Sequence, residues 1–184
     1  SLAKLADIFL VAPASADVIG KIANGIADDM LTTTIMACKC PKLISPAMNT
    51  NMFTNPIVQD NLKKLEHYGY EIIQPDSGYL ACGDTGAGKM PSEQVLLNYI
   101  LRTIAKDKDM TGIKLTVTAG PTREKLDPVR FLSNNSTGKM GYAIAKMAML
   151  RGADVTLISG KVSLEPVPFV KIVDIVSAED MYNA

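Results

Sequence analysis

Short, continuous apolar runs alternate with amphipathic stretches along this chain. Asp7–Ala12 is apolar without alternation, which predicts a strand buried on both faces. Val18, Ile19, Ile22 and Ala23 follow at helical spacing, with Ser15 positioned to cap that helix and Gly25 to end it. Asp29–Cys38 predicts a second helix and Lys42–Ser45 a second strand. Ile57–Tyr68 carries Val58, Leu62 and Leu65 on one face and stops at Gly69. Tyr70–Ile73 predicts a third strand, and Ser92 caps a helix that keeps Leu96, Ile100 and Ile104 in register. After a polar break at Lys106–Gly112 the pattern restarts, with a strand at Ile113–Thr118, a helix at Thr137–Leu150 and strands at Asp154–Ser159 and Val170–Val173. Ser177–Ala184 reads as the start of a helix. Strands alternating with helices predict parallel sheets with right-handed crossovers. The polar break divides them into two doubly wound, Rossmann-like α/β domains, residues 1–107 and 108–184.

In such sheets ligands sit beyond the carboxyl ends of the strands. The polar segments 13–17, 46–52, 119–130 and 133–141 all fall at those ends or in the turns after them. Pro13-Ala-Ser-Ala16 offers a helix N-terminus and a hydroxyl, which suit a phosphate or the polar tail of a cofactor, and equally a plain N-cap. Pro46–Met52 sets Asn49 between Met48 and Met52. That arrangement suits a carboxylate or amide held against a flat ring, and it also suits a turn with Asn in the left-handed region. Leu80–Met90 has neither helical nor strand periodicity and predicts a loop. Its glycines 83, 86 and 88 permit close approach to a ligand, and Cys82 stands at its rim. It can be a flap over a bound molecule or a Gly-rich surface turn. It is not a dinucleotide fingerprint, because no strand leads directly into it and no helix starts within it. Ser133–Gly141 opens a helix with hydroxyls, backbone donors and Lys139, a plausible phosphate cradle without Walker spacing. His67, the single histidine, lies near a helix C-terminus and reads as a dipole partner.

Composition narrows the function classes. Of the 184 residues 47% are apolar and 21% charged, an ordinary globular balance. Nineteen Lys plus Arg offset nineteen Asp plus Glu, so no net field draws the chain to nucleic acid or to a membrane surface. No apolar run reaches bilayer length, and no signal peptide opens the chain. Three cysteines, two of them in Cys38-Lys-Cys40, do not make a disulfide framework, and a reducing, cytoplasmic setting is expected. Cys38 and Cys40 read as packing residues rather than metal ligands. The chain opens without an initiator Met and within what reads as the last turns of a helix, so an internal fragment of a longer protein is expected.

Five motifs in order resemble one family across essentially the whole chain. Pro13-Ala-Ser-Ala resembles the flavin-loop motif of the flavin-containing cysteine decarboxylases. Pro46-Ala-Met-Asn-Thr-Asn-Met is similar to their Pro-x-Met-Asn-x-x-Met substrate motif, and Leu80-Ala-Cys-Gly-Asp-Thr-Gly-Ala-Gly-Lys-Met to their substrate-recognition flap. Ala119-Gly-Pro-Thr-Arg-Glu-x-Leu-Asp-Pro-Val-Arg and Ser133-Asn-Asn-Ser-Thr-Gly-Lys-Met-Gly resemble the opening of phosphopantothenate–cysteine ligase. The order, decarboxylase then ligase, is that of the bacterial bifunctional family of coenzyme A biosynthesis.

The resemblance implies CTP-dependent ligation, with Mg²⁺, of cysteine to 4'-phosphopantothenate. FMN-dependent oxidative decarboxylation of 4'-phosphopantothenoylcysteine to 4'-phosphopantetheine follows. By motif, Cys82 would donate a proton to the enethiol intermediate and Asn49 would hold the substrate carboxylate. Pro13, Ala14, Ser15, Ala16 and Met48 would contact FMN. Ala81, Gly83, Gly86, Gly88, Lys89 and Met90 would belong to the flap. Gly120, Thr122, Asn134, Ser136, Gly138 and Lys139 would face the ligase substrate or its phosphates, while the metal ligands stay unassigned. A homo-oligomer built from trimers is implied, with no nucleic acid or membrane partner. Two departures stand out. The family's catalytic His and first flavin-phosphate loop lie upstream of the segment matching Ser1–Ala6, and most CTP-binding residues would lie beyond Ala184. Both steps are therefore expected of the longer parent, and neither need be performed by this piece alone. The alternatives are a peptidyl-cysteine flavin decarboxylase and a non-catalytic regulatory subunit of flavoprotein fold.

Overall fold

Leu43 and Ile44 are neighbours on one strand and face opposite layers, and that alternation organises the first half of the molecule. Their strand, β2 (Lys42–Pro46), lies between β1 (Phe9–Ala14) and β3 (Glu71–Ile72) and pairs in parallel with both. Ile44 and Val11 pack under helices α1 (Ala16–Ala23), α2 (Met30–Ala37) and α4 (Pro56–His67), through Ile19, Ile35, Leu62 and Leu65. Leu43 and Ile73 pack on the other face under Leu96 of α5 (Glu93–Ile104). Helices on both faces of a parallel sheet are the doubly wound arrangement that the apolar runs predict. The computed structural model describes residues 2–79 and 85–184, which divide into two compact units, Ser1–Ile104 and Ala105–Ala184.

Two segments of the first unit depart from expectation. β1 runs two residues further than its apolar stretch, through Pro13, with an irregularity between Val11 and Ala14 before Ala14 pairs with Pro46. The irregularity lets a strand tolerate a residue that has no N–H to donate. The Leu80–Met90 stretch, expected as a loop, contains a strand: β5 (Thr85–Lys89) pairs antiparallel with β4 (Asp76–Tyr79). Gly78 stands opposite Gly86, so this ladder is made of backbone bonds with few side chains to advertise it.

The second unit has its own three-stranded parallel sheet, ordered β10 (Lys171–Asp174), β9 (Asp154–Ser159), β6 (Lys114–Ala119). Helix α6 (Lys139–Leu150) covers one face, with Ala145, Ala148 and Met149 against Ala119, Val155 and Leu157. Small residues on α6 permit the close approach. The polar segment 119–130 that follows β6 holds one strand of a hairpin, β7 (Arg123–Lys125) against β8 (Phe131–Ser133). The Arg123 guanidinium lies 4.6 Å from the Phe131 ring centre, so a charged strand is held by stacking as well as by its ladder. α7 (Ala178–Asn183) closes the unit. Among the described residues no helix is long and apolar enough to cross a membrane, and no cluster of three or more His, Cys, Asp or Glu could hold a metal.

Four aspartates hold local turns. Asp29 accepts from Thr32 N at 2.7 Å in a capping box at the start of α2, and Asp180 accepts from Ser177 N at 2.8 Å before α7. Asp127 accepts from Val129 N and Arg130 N in the β7–β8 turn, and Asp109 pairs with Arg151. Backbone donors hold the first three below the usual carboxylate range, and the Arg151 hydrogen bond does the same for Asp109. A carboxyl depressed by folding adds stability that is complete above its unfolded-state value and is lost as pH falls through its folded-state value. Acid is therefore expected to loosen these turns below about pH 4. Asp29→Asn keeps a cap acceptor that cannot titrate. It should give a shallower fall of stability with acid, and an unchanged slope in acid denaturation would count against this account.

Candidate functional site

Three chain segments meet at the carboxyl end of the first sheet, and main-chain bonds tie them. Ala47 N donates to Ala14 O at 3.1 Å, joining the end of β2 to the end of β1. Met48 N donates to Gly88 O at 3.0 Å, joining the same segment to β5. α1 starts at this end, with Ser15 as N-cap and its Oγ accepting from Val18 N at 3.3 Å. Ser15→Ala is expected to lower stability by about 1 kcal/mol, and Ser15→Asn to restore it; denaturant midpoints check both.

Asn49 is the N-cap of the short helix α3 (Thr50–Phe53), and its Oδ1 accepts from Asn51 N at 2.8 Å. Its backbone, with φ −54° and ψ 145°, is not left-handed, so the turn reading of this Asn does not hold. Met48 packs against the core under β1 and β2, and Met90 against the cluster of Leu43, Ile73 and Leu96. Pro13 and Ser15 are exposed, Ala14 is buried, and Ala16 and Asn49 are half-buried. β5 presses onto the Met48–Thr50 segment through its glycines. A Cβ on Gly88 would lie 2.2 Å from Met48 O, and one on Gly86 would lie 2.5 Å from Thr50 Oγ1. Lys89, also expected in the flap, is exposed. Cys82, Ala81 and Gly83 lie outside the described residues.

Two polar groups here escaped sequence reasoning. Ser45 Oγ and Thr50 Oγ1 are buried without a hydrogen-bond partner among the described residues. A buried hydroxyl left unpaired costs about 1–3 kcal/mol, so each suits an added polar group or a bridging water. The strand ends and the α1 N-terminus suit a ligand with an anionic group.

In the second unit Gly120, Thr122, Asn134, Ser136, Gly138 and Lys139 all line one cavity of about 470 Å³ at the carboxyl end of β6. Gly138 is the N-cap of α6 with φ +74° and no side-chain cap, so the first-turn N–H groups are left to other acceptors. Asn134 Oδ1 accepts from Ser136 N at 2.9 Å, which shapes the loop before the helix. Helix dipole, N–H groups and the Lys139 ammonium together suit an anion such as a phosphate. A second cavity of about 530 Å³, lined by Tyr142, Ser159, Leu164 and Ile172 among others, had no signal in the sequence. Tyr142 Oη lies 3.1 Å from Ser159 Oγ there.

Parallel sheets clad by helices, with polar loops and helix starts at the strands' carboxyl ends, define the Rossmann-like class of flavin- and nucleotide-binding α/β proteins. The chain belongs to the flavoprotein family, whose model matches residues 1–105. Residues 110–184 match the model described as DNA/pantothenate metabolism flavoprotein, C-terminal domain. The coenzyme A biosynthesis bifunctional protein CoaBC of Bacillus subtilis is 48% identical over 182 residues, 97% of this chain and 45% of that protein. The chain thus spans less than half the length of the curated relatives it matches. Among solved structures, a PPC decarboxylase mutant complexed with pantothenoylaminoethenethiol shares the fold with TM-score 0.53 and 38% identity, covering 54% of this chain and 56% of the other. The FMN binding protein AtHal3 gives TM-score 0.51 and 37% identity, over 57% and 58%.

Proposed function

We propose that this chain is part of a coenzyme A biosynthesis protein whose first unit decarboxylates 4'-phosphopantothenoylcysteine with FMN. The observation that carries the reading is the joining of the Pro13–Ala16, Pro46–Asn49 and Gly86–Met90 segments by the Ala47–Ala14 and Met48–Gly88 main-chain bonds. The family match, the FMN-binding relative and the pantothenoyl ligand of the PPC decarboxylase relative support it.

In this reading Pro13, Ala14, Ser15, Ala16 and Met48 hold FMN, which supplies the two-electron oxidation and reduction when bound. Asn49 orients the substrate carboxylate through its side-chain amide, held at the start of α3 by the bond from Asn51 N to Oδ1. The Gly86–Met90 segment covers the bound substrate and excludes water. The Cys82 thiol gives its proton to the enethiol carbon after CO₂ has left, a general-acid role. The second unit, by the same proposal, contributes to the CTP-dependent ligase. The α6 N-terminus and Lys139 meet phosphates, Asn134 meets the acyl-phosphate region, and CTP enters with Mg²⁺. The match of residues 110–184 to the pantothenate-metabolism domain favours this substrate over a peptidyl cysteine. A cytoplasmic homo-oligomer built from trimers completes the reading.

The test is the visible absorption spectrum of the purified chain, with the released chromophore identified, followed by CO₂ release from 4'-phosphopantothenoylcysteine by the full-length protein. Cys82→Ser should allow CO₂ loss and stop before 4'-phosphopantetheine. Product formation at the normal rate would remove Cys82 from the proton-donor role. Wild-type activity in Asn49→Ala would do the same for the carboxylate contact.

A further inference from the structure

The amino end of β2 carries chemistry that the proposed reaction does not use. Cys38 and Cys40 are both free thiols. Cys38 is the C-cap of α2, 5% exposed, with an extended backbone at φ −73° and ψ 138°, while Cys40 is partly exposed where the chain bends. Side chains two residues apart on extended chain point to the same side. Two extended residues span roughly 6–7 Å, the upper part of the Cα separation that a disulfide accepts. Cys40 stands close enough to the Cys38 thiol to act on it. Lys42 stands beside them: its Nζ donates to Cys40 O at 3.4 Å and lies 5.4 Å from the Tyr70 ring centre.

We infer that Cys38 and Cys40 form a thiol–disulfide exchange site that accepts low-molecular-weight disulfides and closes a reversible bond across Lys39. The Cys40 thiolate, the more accessible, attacks one sulfur of the small disulfide; that S–S bond breaks and one thiol leaves. The Cys38 thiolate then attacks Cys40 Sγ, forming the protein disulfide and releasing the second thiol. Two cysteine thiols are oxidised, the small disulfide is reduced to two thiols, and the cysteine protons leave with them. Burial raises the Cys38 thiol above its ordinary value, and the Lys42 charge acts in the opposite direction, so Cys38 suits the second, resolving step. A bond closed over a single residue is strained and easily reduced, as befits a reversible modification. The pair stands at the opposite end of β2 from Asn49, and the inference is independent of the proposed reaction.

The full chain is equilibrated across an oxidised and reduced glutathione series, quenched by alkylation and mapped. Trypsin cuts after Lys39, so the expected product is peptide 22–39 joined to peptide 40–42, both thiols disappearing together. Cys38→Ser should instead accumulate glutathione on Cys40, and Cys40→Ser should leave Cys38 unmodified. Failure of the joined peptides to appear at any glutathione ratio, or their appearance only in denaturant, would overturn the inference. So would persistence of the mixed disulfide in the unsubstituted chain.

Discussion

Gly88→Ala is expected to unseat the β4–β5 hairpin and to lower the proposed decarboxylation by the full-length protein about a hundredfold. The new methyl would lie 2.2 Å from Met48 O, and φ at this position is +128°. Both penalties fall on backbone atoms, so no rotamer change relieves them. Strain and displacement together cost about 3 kcal/mol, which is roughly a hundredfold in the population of the seated form. Amide exchange at Met48 provides a readout that does not depend on turnover. Its N–H is bonded to Gly88 O in the seated hairpin and should exchange faster in the variant, while the amides of β1 and β2 remain protected. Gly86→Ala makes an instructive contrast, because its obstacle is the Thr50 side chain. Adding Thr50→Ala should recover much of that loss, whereas no side-chain change should rescue Gly88→Ala. Normal exchange at Met48 together with normal turnover in Gly88→Ala would show that hairpin seating is not required.

Gly160→Ala is expected to destabilise the second unit by about 3 kcal/mol. A Cβ there would lie 1.9 Å from Pro121 O, forcing apart the loops that leave β6 and β9. Gly120 and Gly138 meet Val162 close by, and Gly141 lies against Ala119, so one displaced loop moves the whole rim of the α6 cavity. Amide exchange in β6, β9 and α6 should speed up roughly a hundredfold. Unaltered exchange there would mean that the loops yield at low cost and that the packing around Gly160 is looser than its contacts imply.

The elements most legible in the sequence are those whose packing leaves a mark on residue type. Leu43 and Ile44 sit on opposite faces of a covered sheet, and Val58, Leu62 and Leu65 on one face of α4, so apolar continuity or spacing reveals them. β5 is hidden because glycine carries no periodicity and its pairing with β4 is purely main-chain. β7 is hidden because Arg123, Glu124 and Lys125 look like a solvated loop until Phe131 supplies a stacking partner. The meeting of segments 13–16 and 46–49 follows from parallel-sheet topology, which sends both strand ends to the same edge. The burial of the Thr50 and Ser45 hydroxyls, and the cavity beside Tyr142 and Ser159, depend on contacts between remote positions and leave no local pattern.

The bonds that join the three segments of the first site, Ala47 to Ala14 and Met48 to Gly88, involve no side-chain atom. Shape and chemistry are thereby separated in this site. Side chains at 15, 48, 49 or 89 can be exchanged without cutting a tie that holds the segments together, as long as the glycine at 88 remains. A scaffold of this kind can drift toward new ligands by successive point changes, each tried on an unchanged frame. The same property makes those four positions the natural ones to randomise in a library aimed at altered specificity.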